Sequence, residues 1–245
     1  MNDLSNKVVL ITGSSKGIGA VMAKKIAEAN AKVIVNFAGS KAEAEQVVSE
    51  IKTNGGDAIA LQADVSKSVD VSKLFDEAIA HYGKIDVLVN NAGIMHSKLI
   101  KDTTDEEFTQ QIEINVKGVF NTLREAATKL ESNGSIINLS TSVNRLILPT
   151  YGVYVATKSA VEQLTRVFSK EIGRGINVNS VSPGPTNTAL FAKGKSQETI
   201  DKLASLNPFG RIAEPEEIAN VIVFLASDEA KWINAQNIGA NGGMA

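Results

Sequence analysis

The sequence contains no cysteine in its 245 residues. Disulfides, thiol nucleophiles and cysteine metal sites are therefore excluded. Histidine is nearly as scarce, with only His81 and His96, too few for a histidine-rich metal centre, so no metal ligands are assigned. Neither sign of charge is in excess: 25 basic and 27 acidic residues leave a formal net charge of −2. That argues against nucleic acid or an anionic membrane as the main partner. No apolar run approaches the ~18 residues that a membrane span needs. The opening residues, Met1 to Lys7, are polar and lack the apolar core of a signal peptide. These absences lead to the expectation of a soluble, cytoplasmic protein that acts on a small molecule.

What is present is a globular composition, 43% hydrophobic and 21% charged, enough to bury a substantial core. Short apolar runs alternate with amphipathic helical stretches. The runs are Val8-Ile11, Val33-Val35, Ala58-Leu61, Val87-Val89, Ile136-Leu139 and Ile176-Val181, with a weaker one over Gln236-Gly239. Near-continuous apolar runs suit strands buried on both faces of a parallel sheet. Helices are expected over residues 18–29, 41–54, 68–82, 104–130, 151–172 and 215–226. Thr104 and Glu107 carry a capping-box signature, and Pro215 suits a first helical turn. Alternating strands and helices imply right-handed crossovers and one doubly wound α/β domain over residues 1–245. Residues 184–210, rich in Pro and Gly, follow a strand's C-terminal end and read as a mobile substrate loop, with a short helix near 196–206.

The first run feeds a glycine turn, Gly13-Ser14-Ser15-Lys16-Gly17-Ile18-Gly19, and then a helix. Strand, glycine turn and helix start form a phosphate-binding device. The second strand ends at Asn36, and Asn36 to Ser40 contains no carboxylate to repel a 2′-phosphate. Together with Lys16 in the turn, this favours NADP(H), with NAD(H) as the second choice. Asp64-Val65 follows the third strand. Asp64 either accepts from an adenine amino group or caps the next helix. Asn91-Ala92-Gly93 follows the fourth strand, where small residues allow close approach of a cofactor or simply make a turn. Asn115 sits inside a helix, where Asn is a poor fit unless partnered or kinked.

Tyr154 and Lys158, four residues apart, share one helix face. A tyrosine with its reference pKa of about 10 is a weak acid–base group. A neighbouring ammonium stabilises the phenolate, so the pair can exchange a proton with a carbonyl or alcohol oxygen. Tyr151 lies two turns from Lys158, too far for direct coupling. Upstream, Ser140-Thr141-Ser142 ends a strand and offers hydroxyls.

Together these pieces resemble the short-chain dehydrogenase/reductase family over essentially the whole chain. Gly13, Gly17 and Gly19 look like its cofactor turn, Asn90-Asn91-Ala92-Gly93 like its NNAG motif, and Pro183-Gly184 like its nicotinamide-side motif. Asn115, a hydroxyl residue, Tyr154 and Lys158 look like its catalytic tetrad. The resemblance implies a seven-stranded sheet in the order 3-2-1-4-5-6-7 and a homotetramer or homodimer. It implies NADP(H) contacts from Gly13, Ser15, Lys16, Gly17, Ile18, Gly19, Asn36, Phe37, Ser40, Asp64 and Val65. It extends them to Asn91, Ala92, Gly93, Tyr154, Lys158, Pro183, Gly184, Thr186 and Thr188. By the same resemblance, Lys158 holds the nicotinamide ribose and Asn115 anchors a water leading from Lys158 to solvent.

The family serine usually lies thirteen residues before the tyrosine, which is Thr141 here; Ser142 lies at twelve. Serine is the family's usual residue and carries no extra methyl, so Ser142 is preferred, with Thr141 as the alternative. The expected reaction is NADPH-dependent reduction of a ketone or aldehyde, with a 3-oxoacyl thioester or small carbonyl as substrate. An alcohol or sugar dehydrogenase and a non-catalytic dinucleotide-binding protein are the alternatives. Expected pocket walls are Met95, His96, Val143, Asn144, Leu146, Leu148, Pro149, Leu190 and Phe191. Trp232, in a turn where relatives differ, reads as core or subunit contact.

Overall fold

The apolar runs become strands, nearly fully buried in the middle of the sheet and partly exposed at its two edges. A computed structural model describes residues 3–192 and 194–245; Met1, Asn2 and Lys193 lie outside it. The strands are β1 (Val8–Ile11), β2 (Lys32–Phe37), β3 (Asp57–Gln62), β4 (Val87–Asn90), β5 (Ser135–Leu139), β6 (Asn177–Pro183) and β7 (Asn237–Ala240). All pair in parallel, in the order β3-β2-β1-β4-β5-β6-β7, as expected from the sequence. The order reverses between β1 and β4, and this opens a crevice at the strands' C-terminal ends.

The helices are α1 (Gly17–Glu28), α2 (Lys41–Thr53), α3 (Ser68–Tyr82), α4 (Asp105–Ile112), α5 (Gly118–Lys129), α6 (Val143–Leu146), α7 (Gly152–Glu171), α8 (Ala189–Ala192), α9 (Gln197–Ser205) and α10 (Pro215–Ala226). Both helix-start signals hold. Thr104 and Glu107 close a capping box on α4, and Pro215 opens α10. α3 stops at Gly83, whose φ of +82° is a left-handed cap that suits glycine. Two apolar layers sandwich the sheet. One joins Met22 and Ile26 of α1 to Val47 and Ile51 of α2 and Ile222 of α10. The other joins Leu74 and Phe75 of α3 to Leu123 of α5 and Val161 of α7. Each fully buried side chain of this size contributes about 1.5–3 kcal/mol. No helix among the described residues is long and apolar enough to cross a membrane.

A buried polar seam fixes the register of the sheet against α5 and α7. Asn90 Nδ2 donates to Asn138 Oδ1 at 2.8 Å, Thr122 donates to Asn90 Oδ1 at 2.7 Å, and Asn138 Nδ2 donates to Thr165 at 2.8 Å. Satisfied in this way, the groups escape the cost of burial and tie β4 and β5 to the helices that carry the site.

One expectation is corrected here, one is extended and one is narrowed. The helix over 104–130 is interrupted by a π-helical turn, Glu113–Lys117, with Asn115 at its centre. The stretch 184–210 carries the expected short helix as α9 and a further one, α8, ahead of it, and its base is pinned by a bridge between Thr186 and Ala213. Trp232 is no core residue: it is fully exposed.

Candidate active site

The glycine turn is held from below by side chains and left open above. Asn91 Nδ2 donates to the carbonyls of Thr12 and Gly13, at 3.0 and 2.9 Å. The Thr12 hydroxyl accepts from the N–H groups of Asn91 and Ala92, at 3.0 and 3.1 Å. A side chain on Gly13 would lie 2.8 Å from Ala92 Cα, and one on Gly19 2.6 Å from Asn91 Nδ2. Both glycines are therefore required by close approach. Ser15, Lys16 and Gly17 form the lip, and above Gly17 nothing approaches closer than Thr188. Lys16, the N-cap of α1, makes no side-chain capping bond, and the first turn of α1 holds no acid. Its leading N–H groups thus have no side-chain partner, as an anion-binding helix start requires. The chain fits a dinucleotide phosphate at this place.

Several expected contacts sit elsewhere. Asn36 is 1% exposed; its Oδ1 accepts from Gly13 N–H at 3.1 Å, and its Nδ2 donates to the carbonyls of Leu61 and Ala63. Its polar atoms serve the turn from inside, so it positions the cradle rather than facing a ligand. Phe37 is buried in the apolar layer, and the Val65 side chain packs against Gly118. Asp64 Oδ1 accepts from the Ser66 N–H and hydroxyl, at 3.0 and 2.7 Å, closing a local turn ahead of α3, whose N-cap is Lys67 with no side-chain capping bond. Thr186 and Thr188 do line the cleft; Thr186 also donates to the Gly184 carbonyl, and Thr188 accepts from Phe191 N–H at the start of α8. Ser40 stands at the start of α2, and Lys16 pairs with Glu43 one turn further on, at 2.7 Å. The sequence reading missed this pair because its partners lie on different helices.

At the other end of the crevice, α7 and the end of β5 bring Tyr154, Lys158 and Thr141 together. Lys158 is 4% exposed and donates to the Leu139 carbonyl at 2.7 Å. Its Nζ lies 6.0 Å from the Tyr154 ring centre. Burial lowers the Lys158 pKa to about 8. Burial, opposed by the Thr141 hydroxyl and reinforced by Tyr151, pushes Tyr154 up to about 12. The expected depression of the tyrosine by Lys158 is not what this site shows: burial dominates, and the phenol keeps its proton across the neutral range. The Thr141 hydroxyl faces the phenol oxygen as a hydrogen-bonding neighbour and so lowers its pKa against the larger effect of burial. Ser142, preferred on family grounds, is 1% exposed and donates to the Pro183 carbonyl at 2.8 Å. Its one proton is already in use. Alternation along the chain turns the two hydroxyls to different neighbours.

Asn115 is fully buried. Its Oδ1 accepts from Ile94 N–H at 2.8 Å, and its Nδ2 donates to the Ile94 carbonyl and to Thr157. These bonds pin the segment after Asn91 to α7. A side chain on Gly93 would meet Asn115 Oδ1 at 3.3 Å and Lys158 Nζ at 3.5 Å, so glycine keeps that gap open beside the amine.

The cleft between the two ends is walled mainly by apolar side chains. Met95, Val143, Leu146, Leu148, Leu190 and Phe191 line it as expected, and Ile18, Ile94, Tyr151, Pro185, Leu203 and Met244 join them. His96 is absent from the wall and bonds Gln110 instead; Asn144 turns to Glu162; Pro149 stays outside. Tyr151 reaches the cleft although it is too far along the helix to couple to Lys158. Leu203 and Met244 come from distant parts of the chain and carry no local sequence signal. Among the described residues the lining includes one amine, Lys158, and no carboxylate. No group of three or more metal-ligating side chains occurs among them either.

Comparison with known proteins follows the same lines. A family profile described as Enoyl-(Acyl carrier protein) reductase matches residues 13–245. An uncharacterized oxidoreductase of Methylorubrum extorquens is 42% identical, with both chains covered in full. A protein of Arabidopsis thaliana named NADPH-dependent aldehyde reductase-like, chloroplastic, is 39% identical over 98% of this chain and 94% of its own. The crystal structure of the angucycline C-6 ketoreductase LanV with bound NADP superposes with a TM-score of 0.93 at 36% identity, covering 99% of this chain and 97% of that one.

Proposed function

The chain belongs to the short-chain dehydrogenase/reductase family of NAD(P)-dependent oxidoreductases, and from that premise we propose that it is an NADPH-dependent reductase of ketones or aldehydes bearing apolar substituents. One observation carries the reading: Thr141, Tyr154 and Lys158 meet at the wall of an apolar cleft whose other end is the glycine turn. A bound nicotinamide supplies the hydride.

The remaining chemistry belongs to this chain. Thr141 donates a hydrogen bond to the substrate oxygen. Tyr154, protonated at neutral pH, passes its proton to that oxygen as negative charge develops there. Lys158, titrating near pH 8, replaces the proton and holds the ribose. Asn115 acts as a positioning residue for the Ile94 backbone and for Thr157 on α7. The apolar walls exclude water and favour an uncharged substrate. A sugar would leave several hydroxyls without partners on such walls, which weighs against the sugar dehydrogenase alternative. NADP(H) is favoured by Lys16 at the lip and by the absence of acid over residues 36–40. Exposed Phe108, Phe120 and Val167 on α4, α5 and α7 support a homo-oligomer, which sedimentation equilibrium tests.

The function is tested with a carbonyl panel and NADPH oxidation as readout. Cyclic and aryl ketones are expected to turn over with a higher kcat/KM than keto acids or open-chain sugars. A preference for charged or polyhydroxylated substrates overturns the reading.

A further inference from the structure

Lys16 stands at the lip of the glycine turn, and its ammonium is held 2.7 Å from Glu43. Glu43 lies in the first turn of α2, and Ser40, the N-cap of that helix, makes no side-chain capping bond. The carboxylate is therefore the anion of this corner. The glycine turn abuts the end of β2 directly, through Ser14 N–H to the Asn36 carbonyl at 2.9 Å. In dinucleotide-binding sheets this is the corner that receives the 2′ substituent of the adenosine ribose. The other nearby cation, Lys41, is turned to Glu45 at 3.6 Å.

We propose that Glu43 is a resident anion that competes with a 2′-phosphate for Lys16 and so sets how strongly this enzyme prefers NADP(H) to NAD(H). The inference rests on the dinucleotide site proposed above. Both partners are partly exposed, with side chains 59% and 44% accessible, so the pair is weak enough for a dianionic phosphate to break. The displaced carboxylate stays tethered in the same corner, within the ~8 Å over which charge is felt at physiological salt. It then repels the phosphate it has yielded to. Glu43 thus narrows the selectivity that Lys16 alone would impose. The Lys16 hydrogen bond keeps its carboxyl below the usual glutamate range, so the charge persists at neutral pH.

The test is calorimetric binding of adenosine 2′,5′-bisphosphate and of 5′-AMP to wild type, Glu43→Gln, Lys16→Ala and the double variant at low salt. Glu43→Gln is expected to tighten the bisphosphate about three- to fivefold, the scale of an exposed ion pair, and to leave 5′-AMP nearly unchanged. The NADPH/NADH ratio of kcat/KM rises with it. The gain shrinks when Lys16 is already alanine, because only the direct repulsion by the carboxylate remains to be relieved. A bisphosphate affinity that is unchanged or weakened by Glu43→Gln, or a gain that is undiminished in the Lys16→Ala background, overturns the proposal. If wild type binds 5′-AMP more tightly than the bisphosphate, the NADP(H) preference fails, whereas the role of Glu43 still stands or falls on the Glu43→Gln comparison. Failure of both nucleotides to bind overturns both.

Discussion

The Ser142 hydroxyl donates a 2.8 Å hydrogen bond to the Pro183 carbonyl. That bond joins the end of β5 to the end of β6 and takes the proton that a substrate oxygen would need. Thr141 is left as the hydroxyl beside Tyr154. Thr141→Val is expected to lower kcat about 10²-fold or more, the cost of losing one preorganised donor. Ser142→Ala should keep kcat within an order of magnitude and show its effect in Tm. Steady-state kinetics of the two variants decide; the reverse pattern returns the role to Ser142.

Tyr154→Phe removes the transferable proton and leaves the ring packing in place. Loss of about 10²–10⁴-fold in kcat is expected for a general acid, with cofactor affinity held within a few-fold. Stopped-flow hydride transfer and fluorescence binding measure the two separately. A variant with near-wild-type turnover removes Tyr154 from the chemistry.

Lys158 carries a cost in stability. Burial lowers its pKa from 10.5 to about 8, so the folded state disfavours the ammonium. The penalty is fully present below pH 8, on the order of 3 kcal/mol. It fades as pH rises from 8 to 10.5, because there the folded protein has released the proton and the unfolded chain has not. Lys158→Met should abolish turnover yet raise Tm at pH 7 by about 2 °C or more, with the advantage shrinking toward pH 10.5. A thermal melt series against pH reads this directly. In the wild type, reduction should slow as pH rises through about 8.

Asn36 separates architecture from selectivity. Asn36→Ala strips partners from Gly13 N–H and from two carbonyls, at a cost of about 1–3 kcal/mol for the unsatisfied groups. Affinity for NADPH and NADH should fall by the same factor, leaving their ratio unchanged. Calorimetry with both cofactors checks it. A selective loss of NADPH binding would return Asn36 to the cofactor's surface.

The motifs that were legible are those whose physics is local. The glycine turn at Gly13 and Gly19 needs backbone room, and only one residue type supplies it. Thr104 and Glu107 close their box within one helical turn. Tyr154 and Lys158 share a helix face by periodicity alone. Illegible were relationships between segments far apart in the chain. Leu203 joins the cleft wall from α9 and Met244 from the segment after β7. The direction of the Asn36 side chain depends on where Leu61 and Ala63 end. The π turn around Asn115 pairs an amide with Ile94, twenty-one residues upstream, and no helical pattern announces that.

By itself, then, the sequence determined the alternation of strand and helix, the sheet order through its family resemblance, the phosphate-binding turn and the Tyr154–Lys158 pair. Each follows from short-range sterics, burial periodicity or motif spacing. Only the tertiary structure decided which of two adjacent hydroxyls faces Tyr154, that burial outweighs Lys158 in setting the tyrosine's pKa, and that Lys16 meets Glu43 across two helices. Those outcomes depend on distance and desolvation between groups remote in sequence, and both quantities come into being when the chain packs.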